Sequence, residues 1–154
     1  MKVSEAIIKI FEAEGITDAF GIPGASINGL YSYLAKSHIK HYTHRHEECC
    51  IHAASGYYRA SGKMAVSLCT SGPGATNFVT GIYTSNIDSI PLIAVTGQAI
   101  RAQLENDAFQ CVDIAKICEP VAKKTYCIMD ENNVVNVFKE AFLVAREGKQ
   151  VRLL

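Results

Sequence analysis

The sequence has no excess charge of either sign: its 15 Lys and Arg residues are matched by 15 Asp and Glu. Nucleic acids and anionic membrane surfaces are gripped through basic patches, so neither is expected as a partner. No apolar run approaches the roughly 18 residues of a bilayer-spanning helix. The opening Met1-Lys2-Val3-Ser4-Glu5 leads straight into an amphipathic pattern, without the apolar stretch and small-residue cleavage site of a secretory signal. A soluble cytoplasmic protein is the expectation. Internal repeats, low-complexity tracts and interdomain linkers are also missing. A length of 154 residues suits one domain, since domains commonly run about 100–200.

Cysteine is plentiful, at six residues, but a Cys-x-x-Cys pair is lacking. Most of the six fall inside predicted helices, strands or apolar segments, which favours buried thiols over a disulfide framework. His44, His46, Cys49, Cys50 and His52 crowd one stretch, and on a helix His46 would share a face with Cys50, as would Cys49 with His52. A structural zinc site needs a further Cys/His pair at a distance, and adjacent cysteines point different ways on a helix. No residue is assigned to a metal.

What the chain does have is apolar material, 49% of its residues. That is enough for a core and, with zero net charge, for a surface covered by another subunit or domain. Ser4 suits the N-cap of a first helix, with Val3 packing on Ile8, and Gly15 suits its end. The pattern then predicts a strand over 17–22, a helix over 25–35 and a strand over 39–43. An Ala- and Ser-rich helix over 46–61, against which something packs closely, precedes an apolar strand over 64–69. Pro73 starts a helix running to about Thr84, and 90–96 is another apolar strand. A long loop with a short helix fills 98–118, and 124–129 reads as a strand. Asp130 caps a last helix whose face carries Val134, Phe138, Ala141, Phe142 and Ala145, with Gly148 at its end. Strands apolar on both faces, alternating with helices, predict an α/β fold. Its layers are an open, mostly parallel sheet and helices on both sides, with sites at the carboxyl ends of the strands.

Two segments fall there. Thr70-Ser71-Gly72-Pro73-Gly74-Ala75-Thr76-Asn77 is a Gly-rich turn between a strand and a helix, a generic phosphate cradle. No Lys-Ser or Lys-Thr follows, so it is not a P-loop, and it does not complete a G-x-G-x-x-G dinucleotide fingerprint. Glu47, in Arg45-His46-Glu47, sits at a strand–helix junction. A carboxylate there also suits a solvated helix start, so Glu47 alone decides nothing.

Order and spacing decide it. Gly21-Ile22-Pro23-Gly24, Arg45-His46-Glu47, Gly56-Tyr57-Tyr58-Arg59-Ala60-Ser61-Gly62, Thr70 to Asn77, Asp88-Ser89-Ile90-Pro91, Thr96-Gly97-Gln98 and Asp107-Ala108-Phe109-Gln110 follow one another. The series strongly resembles the N-terminal pyrimidine-binding domain of acetolactate synthase and its thiamine-diphosphate-dependent relatives, over nearly the whole chain.

The resemblance implies a three-layer thiamine-diphosphate-binding fold in which Glu47 hydrogen-bonds N1′ of the cofactor's aminopyrimidine. That bond favours the imino tautomer that activates the thiazolium for attack on a 2-keto acid, with loss of carbon dioxide and addition to a second carbonyl. Pro23, Thr70, Pro73, Gly74 and Asn77 would line the pyrimidine pocket or a subunit interface. Gln110 would reach toward the reacting end, and Ala25, Phe109 and Gln110 would shape the substrate pocket. The Gly/Pro loop is then not a phosphate cradle. Diphosphate and Mg2+ belong to a separate C-terminal domain, and FAD mostly to a middle domain. Neither domain is expected in this chain, which would act with a homodimer partner or a complementary diphosphate-binding domain and be inactive alone.

Three departures bear on the reading. Ala25 replaces the usual glycine after Pro-Gly, as in glyoxylate carboligases, which are the second reading; those enzymes, however, lack the glutamate that Glu47 supplies. Ser55 and Glu48-Cys49-Cys50 are atypical, and the sequence stops at Leu154 before the family's last strand. These leave open a remnant that keeps the fold for dimerisation or regulation without the chemistry.

Overall fold

The computed structural model describes residues 1–104 and 108–147. Its centre is a sheet of four parallel strands: β1 (Asp18–Gly21), β2 (Lys40–Thr43), β3 (Val66–Cys69) and β4 (Ile93–Thr96), in the order β2-β1-β3-β4. Ala19 stands opposite Val66, and Val66 opposite Ile93, so the register runs unbroken across the middle of the sheet. Every residue of β1 and β3 is buried, as expected of strands covered on both faces. The edge strand β2 is mostly exposed.

Successive residues of these strands feed two different cores. Ala19, Leu68 and Ile93 point to one face, where they meet α1 (Val3–Ala13), α2 (Asn28–Leu34) and α7 (Val134–Arg146) through Ile8, Phe11, Leu30, Leu34, Phe138 and Phe142. Phe11 lies edge-on to Phe138 at 5.7 Å and to Phe142 at 6.1 Å, which joins the first helix to the last. Phe20 and Cys69 point the other way, into a cluster with Cys50, Ile51 and Ala54 of α3 (Glu47–Ser61) and with Phe78. The small residues of α3 do admit a close neighbour. On α5 (Val79–Ile87) a Cβ on Gly81 would fall 2.6 Å from the Ile51 side chain, so Ile51 of α3 packs directly on the bare backbone of Gly81.

The amino ends of the strands are fastened by motif residues. Asp18 is buried and accepts hydrogen bonds from the hydroxyls of Thr17 at 2.6 Å and Tyr57 at 2.7 Å. Burial pushes its carboxyl up, but the hydroxyls of Thr17, Tyr57 and Tyr42 outweigh that and hold it below its ordinary value. A depressed carboxyl contributes its full stability above the unfolded value of 3.8 and loses it as pH falls through the folded one. The difference in melting temperature between the natural chain and Asp18→Asn should therefore be largest at neutral pH and shrink below about pH 4; a difference that does not change with pH would rule out this charge-based clamp. Arg59, two residues after Tyr57, pairs with Asp88 just before β4.

Several boundaries differ from expectation. The first helix begins at Val3 with Lys2 as its cap residue, not Ser4. The second begins at Asn28 rather than Ala25, after a turn over 25–27. The helix expected from Pro73 is two pieces, α4 (Pro73–Thr76) and α5, joined by Asn77 and Phe78 in helical backbone. The strand expected from Ile90 starts at Ile93, because Ser89 has φ 57° and Pro91 has no N–H to give a ladder. Residues 98–118 do hold a loop, a 3-10 turn (Arg101–Gln103) and a short helix, α6 (Ile114–Cys118). The expected strand over 124–129 is not one. The segment instead lines a cavity of about 710 Å³ together with 91–96 and α7, and pairs with no strand among the described residues. Asp130 does cap, accepting from the Asn132 N–H at 2.9 Å, though at a 3-10 turn (Glu131–Asn133) that leads into α7. Asp107 and Gly148 lie outside the described residues.

Candidate functional site

With strand order β2-β1-β3-β4, the chain leaves the central pair β1 and β3 in opposite directions, and the loops at their carboxyl ends part around a crevice. Glu47 reaches this crevice from the start of α3. His46 is the cap residue there, its ring nitrogen accepting from the Glu48 N–H at 3.3 Å. Glu47 is thus the first helical residue, where the dipole of a 15-residue helix favours a carboxylate.

The half-buried Glu47 side chain crosses to the β3 loop. Asn77 Nδ2 donates to Glu47 Oε2 at 2.8 Å. Oε1 lies over Gly74, 3.3 Å from where a Cβ would stand, and that Cβ would also sit 2.8 Å from the Thr70 methyl. Glu47, Thr70, Gly74 and Asn77 are therefore one cluster, as the motif series implied. Pro73, the first residue of α4, is exposed beside them.

The β1 loop packs onto the same cluster. A Cβ on Gly24 would fall 2.5 Å from Thr70 Cβ, which places Pro23 and Ala25, both exposed, on either side of this contact. The β4 loop closes the third side. Gln98 donates to the Val112 carbonyl at 2.7 Å and accepts from the Ala99 N–H at 2.8 Å, tethering the segment that carries Gln110. Gln110 has φ 55° and packs on Gly72, whose own φ is 60° and whose Cβ would lie 2.8 Å from Gln110 Cα. Glycine satisfies both demands at once, the left-handed backbone and the close approach. Phe109 is 85% exposed, so it and Ala25 stand at the rim rather than inside a pocket of this chain.

Sequence reasoning missed Ser26. Its hydroxyl lies 2.9 Å from Thr70 Oγ1 and accepts from the Ser71 N–H at 2.9 Å. Gly97 closes over it, since a Cβ there would come within 2.1 Å of Ser26 Oγ. One hydroxyl thus ties the loops after β1, β3 and β4, a role invisible in a lone serine following Pro-Gly-Ala. Ser26→Ala is expected to cost about 1–2 kcal/mol for its two hydrogen bonds, measured by urea denaturation; a change below a few tenths would show that Ser26 is dispensable to the crevice.

Behind Glu47 the wall is thiol. Burial, and then the Glu47 charge, pushes the Cys50 thiol up to about 12 and pushes Cys69 up as well. Both remain protonated and inert at neutral pH. Among the described residues no three His, Cys, Asp or Glu side chains come together to hold a metal ion. Nor is any helix among them long and apolar enough to cross a membrane. The 710 Å³ cavity lies elsewhere, beside β4 and α7, and includes none of Glu47, Thr70, Gly74, Asn77 or Gln110.

Comparison with known proteins agrees with this geometry. The family model described as "Thiamine pyrophosphate enzyme, N-terminal TPP binding domain" matches residues 1–117. The acetolactate synthase large subunit of Cyanidium caldarium is 43% identical over 148 residues, which is 94% of this chain and 25% of that protein. A probable acetolactate synthase large subunit of Methanocaldococcus jannaschii is 44% identical, covering 97% of this chain and 25% of its own length. Glyoxylate carboligase of Escherichia coli O157:H7 is 43% identical, covering 97% of this chain and 26% of its own length. The chain thus spans about a quarter of each of these relatives. It belongs to the thiamine pyrophosphate enzymes, and corresponds to their N-terminal cofactor-binding domain.

Proposed function

We propose that this chain is the pyrimidine-binding domain of an acetolactate-synthase-like carboligase, a domain that works only together with a diphosphate-binding domain. The observation that carries this reading is Glu47: a carboxylate at a helix start, with one oxygen held by Asn77 and the other lying over the bare backbone of Gly74. The crevice suits a flat ring. Gly74 leaves bare backbone beside Glu47, and Glu47 Oε1 takes no hydrogen bond from the described residues.

Thiamine diphosphate, when bound, supplies the reactive carbon and the electron sink for decarboxylating a 2-keto acid and joining its remainder to a second carbonyl. Glu47 would hold a proton shared with N1′ of the aminopyrimidine. Thr70, Pro73, Gly74 and Asn77 would bound the ring, with Pro23 at the edge. Gln110 would face the reacting end, and Ala25 and Phe109 would complete the substrate pocket with the partner. The side chains gathered here offer hydrogen bonds but no cation for a diphosphate, so the Mg2+-held diphosphate falls to a homodimer partner or complementary domain, and FAD, where used, to a further domain. A glyoxylate-carboligase-like protein is the second reading, favoured by Ala25; Glu47 favours the first.

Calorimetric titration with thiamine diphosphate and Mg2+, with and without a diphosphate-binding domain taken from a relative, tests the assignment. Binding is expected only when both polypeptides are present. A pair that associates but takes up no cofactor would refute it.

A further inference from the structure

A glutamate at a helix start ordinarily turns back on the free N–H groups of its own first turn. Glu47 does not. Its carboxylate reaches a side chain 30 residues away, and the donor is the amide of Asn77. Asn77 is not needed there for its backbone, because its N–H bonds to the Pro73 carbonyl at 3.1 Å and Phe78 continues in helical conformation, as any residue would allow. Its side chain sits at the joint between α4 and α5, where the junction turns it toward α3 instead of along its own helix.

A carboxylate with two free oxygens can rotate and present either of them. One charge-assisted bond to Oε2 removes that freedom and fixes which oxygen remains. The remaining one, Oε1, lies beside the bare backbone of Gly74 and takes no hydrogen bond from the described residues. We propose that Asn77 is a positioning residue: it anchors Oε2 of Glu47 and so presents Oε1 alone to a ring N–H of the ligand. This rests on the reading of Glu47 as the contact to the aminopyrimidine, but it assigns Asn77 to the protein's own glutamate rather than to the cofactor.

The test separates the two ideas and needs no cofactor. In the 15N- and 13C-labelled 154-residue chain, the Asn77 side-chain amide signal is identified by its loss in Asn77→Leu. On acidification it should shift together with the Glu47 carboxyl carbon, and the shift should be absent in Glu47→Gln. The other titratable groups about Glu47 are His46 and Glu48 at the helix start and the thiols of Cys50 and Cys69. All four are kept in Glu47→Gln, so a response they caused would survive that substitution.

Thermal melting supplies a second arm. Asn77→Asp keeps the shape and sets two carboxylates against each other. It should melt about 2–4 °C below Asn77→Leu at neutral pH, the shift expected of one like-charge pair in a domain of this size, and the gap should close in acid. A purely structural role at the helix joint would give a gap independent of pH. An Asn77 signal blind to Glu47, or a constant gap, overturns the positioning role. If instead the Asn77 signal tracks Glu47 while the reconstituted pair ignores thiamine diphosphate, the contact stands and the cofactor assignment falls.

Discussion

Glu47→Gln is expected to lower 2-keto acid turnover by about 10²–10⁴-fold, the range over which a positioned acid–base group contributes to a rate. Turnover would be measured on this chain paired with a diphosphate-binding domain at saturating thiamine diphosphate and Mg2+. Glutamine matches glutamate in size, and its carbonyl oxygen can still accept from Asn77, so the crevice should keep its shape and its cofactor. What is lost is the negative charge that, in the proposed role, lets one oxygen share a proton with N1′. The signature is therefore a fall in kcat with cofactor affinity changed far less. Glu47→Ala also strips Asn77 of its acceptor and leaves a void beside Gly74, and should lose affinity as well. Equal turnover in the glutamine variant and the natural chain would remove Glu47 from the chemistry.

The second large effect falls on folding. Gly21 ends β1 opposite Leu68, and a Cβ there would lie 2.3 Å from the Leu68 carbonyl oxygen and 2.4 Å from the Tyr31 hydroxyl. Tyr31 is the tip of a side chain and could swing away. The carbonyl cannot, because it belongs to a central strand and accepts from the Ile22 N–H at 3.0 Å. Overpacking ordinarily costs about 1–3 kcal/mol; here relief requires prying apart β1 and β3, so Gly21→Ala should exceed about 3 kcal/mol. Gly56→Ala is the matched control. Gly56 lies inside α3 with nothing within 4 Å of its Cβ position, and alanine should stabilise it by about 0.5–1 kcal/mol. Urea midpoints of the two variants check both values. A Gly21→Ala chain as stable as the natural one would contradict the packing of the central strands.

Gly21 also marks what a sequence can disclose. Runs such as Val66 to Cys69 announce a doubly covered strand because burial on both faces is written in consecutive residues. The place of Glu47 at the start of α3 was legible because strand and helix are contiguous there, but its proposed role was legible only through the ordered motif series around it. Ser26 was not, since its meaning depends on three loops that are distant in sequence and meet only in the fold. The segment over 124–129 has the composition of a strand but is not in one, because a strand exists only where another backbone answers its hydrogen bonds. The break between α4 and α5 escaped notice because Asn77 and Phe78 keep helical dihedrals there.

The fastenings at the amino ends of the strands, Asp18 with Tyr57 and Arg59 with Asp88, lie a full strand length from the crevice that holds Glu47. Effects of substitutions at sites this far apart, with no shared partner, add to within about 0.3–0.5 kcal/mol. Lost stability at one end can then be restored at the other without disturbing the chemistry. Under the proposed assignment of Ala25, Phe109 and Gln110 to the substrate pocket, a lineage could exchange them for a new acceptor while strengthening the distant clamp to compensate. The direction of the strands thereby separates what keeps this domain folded from what it is free to change.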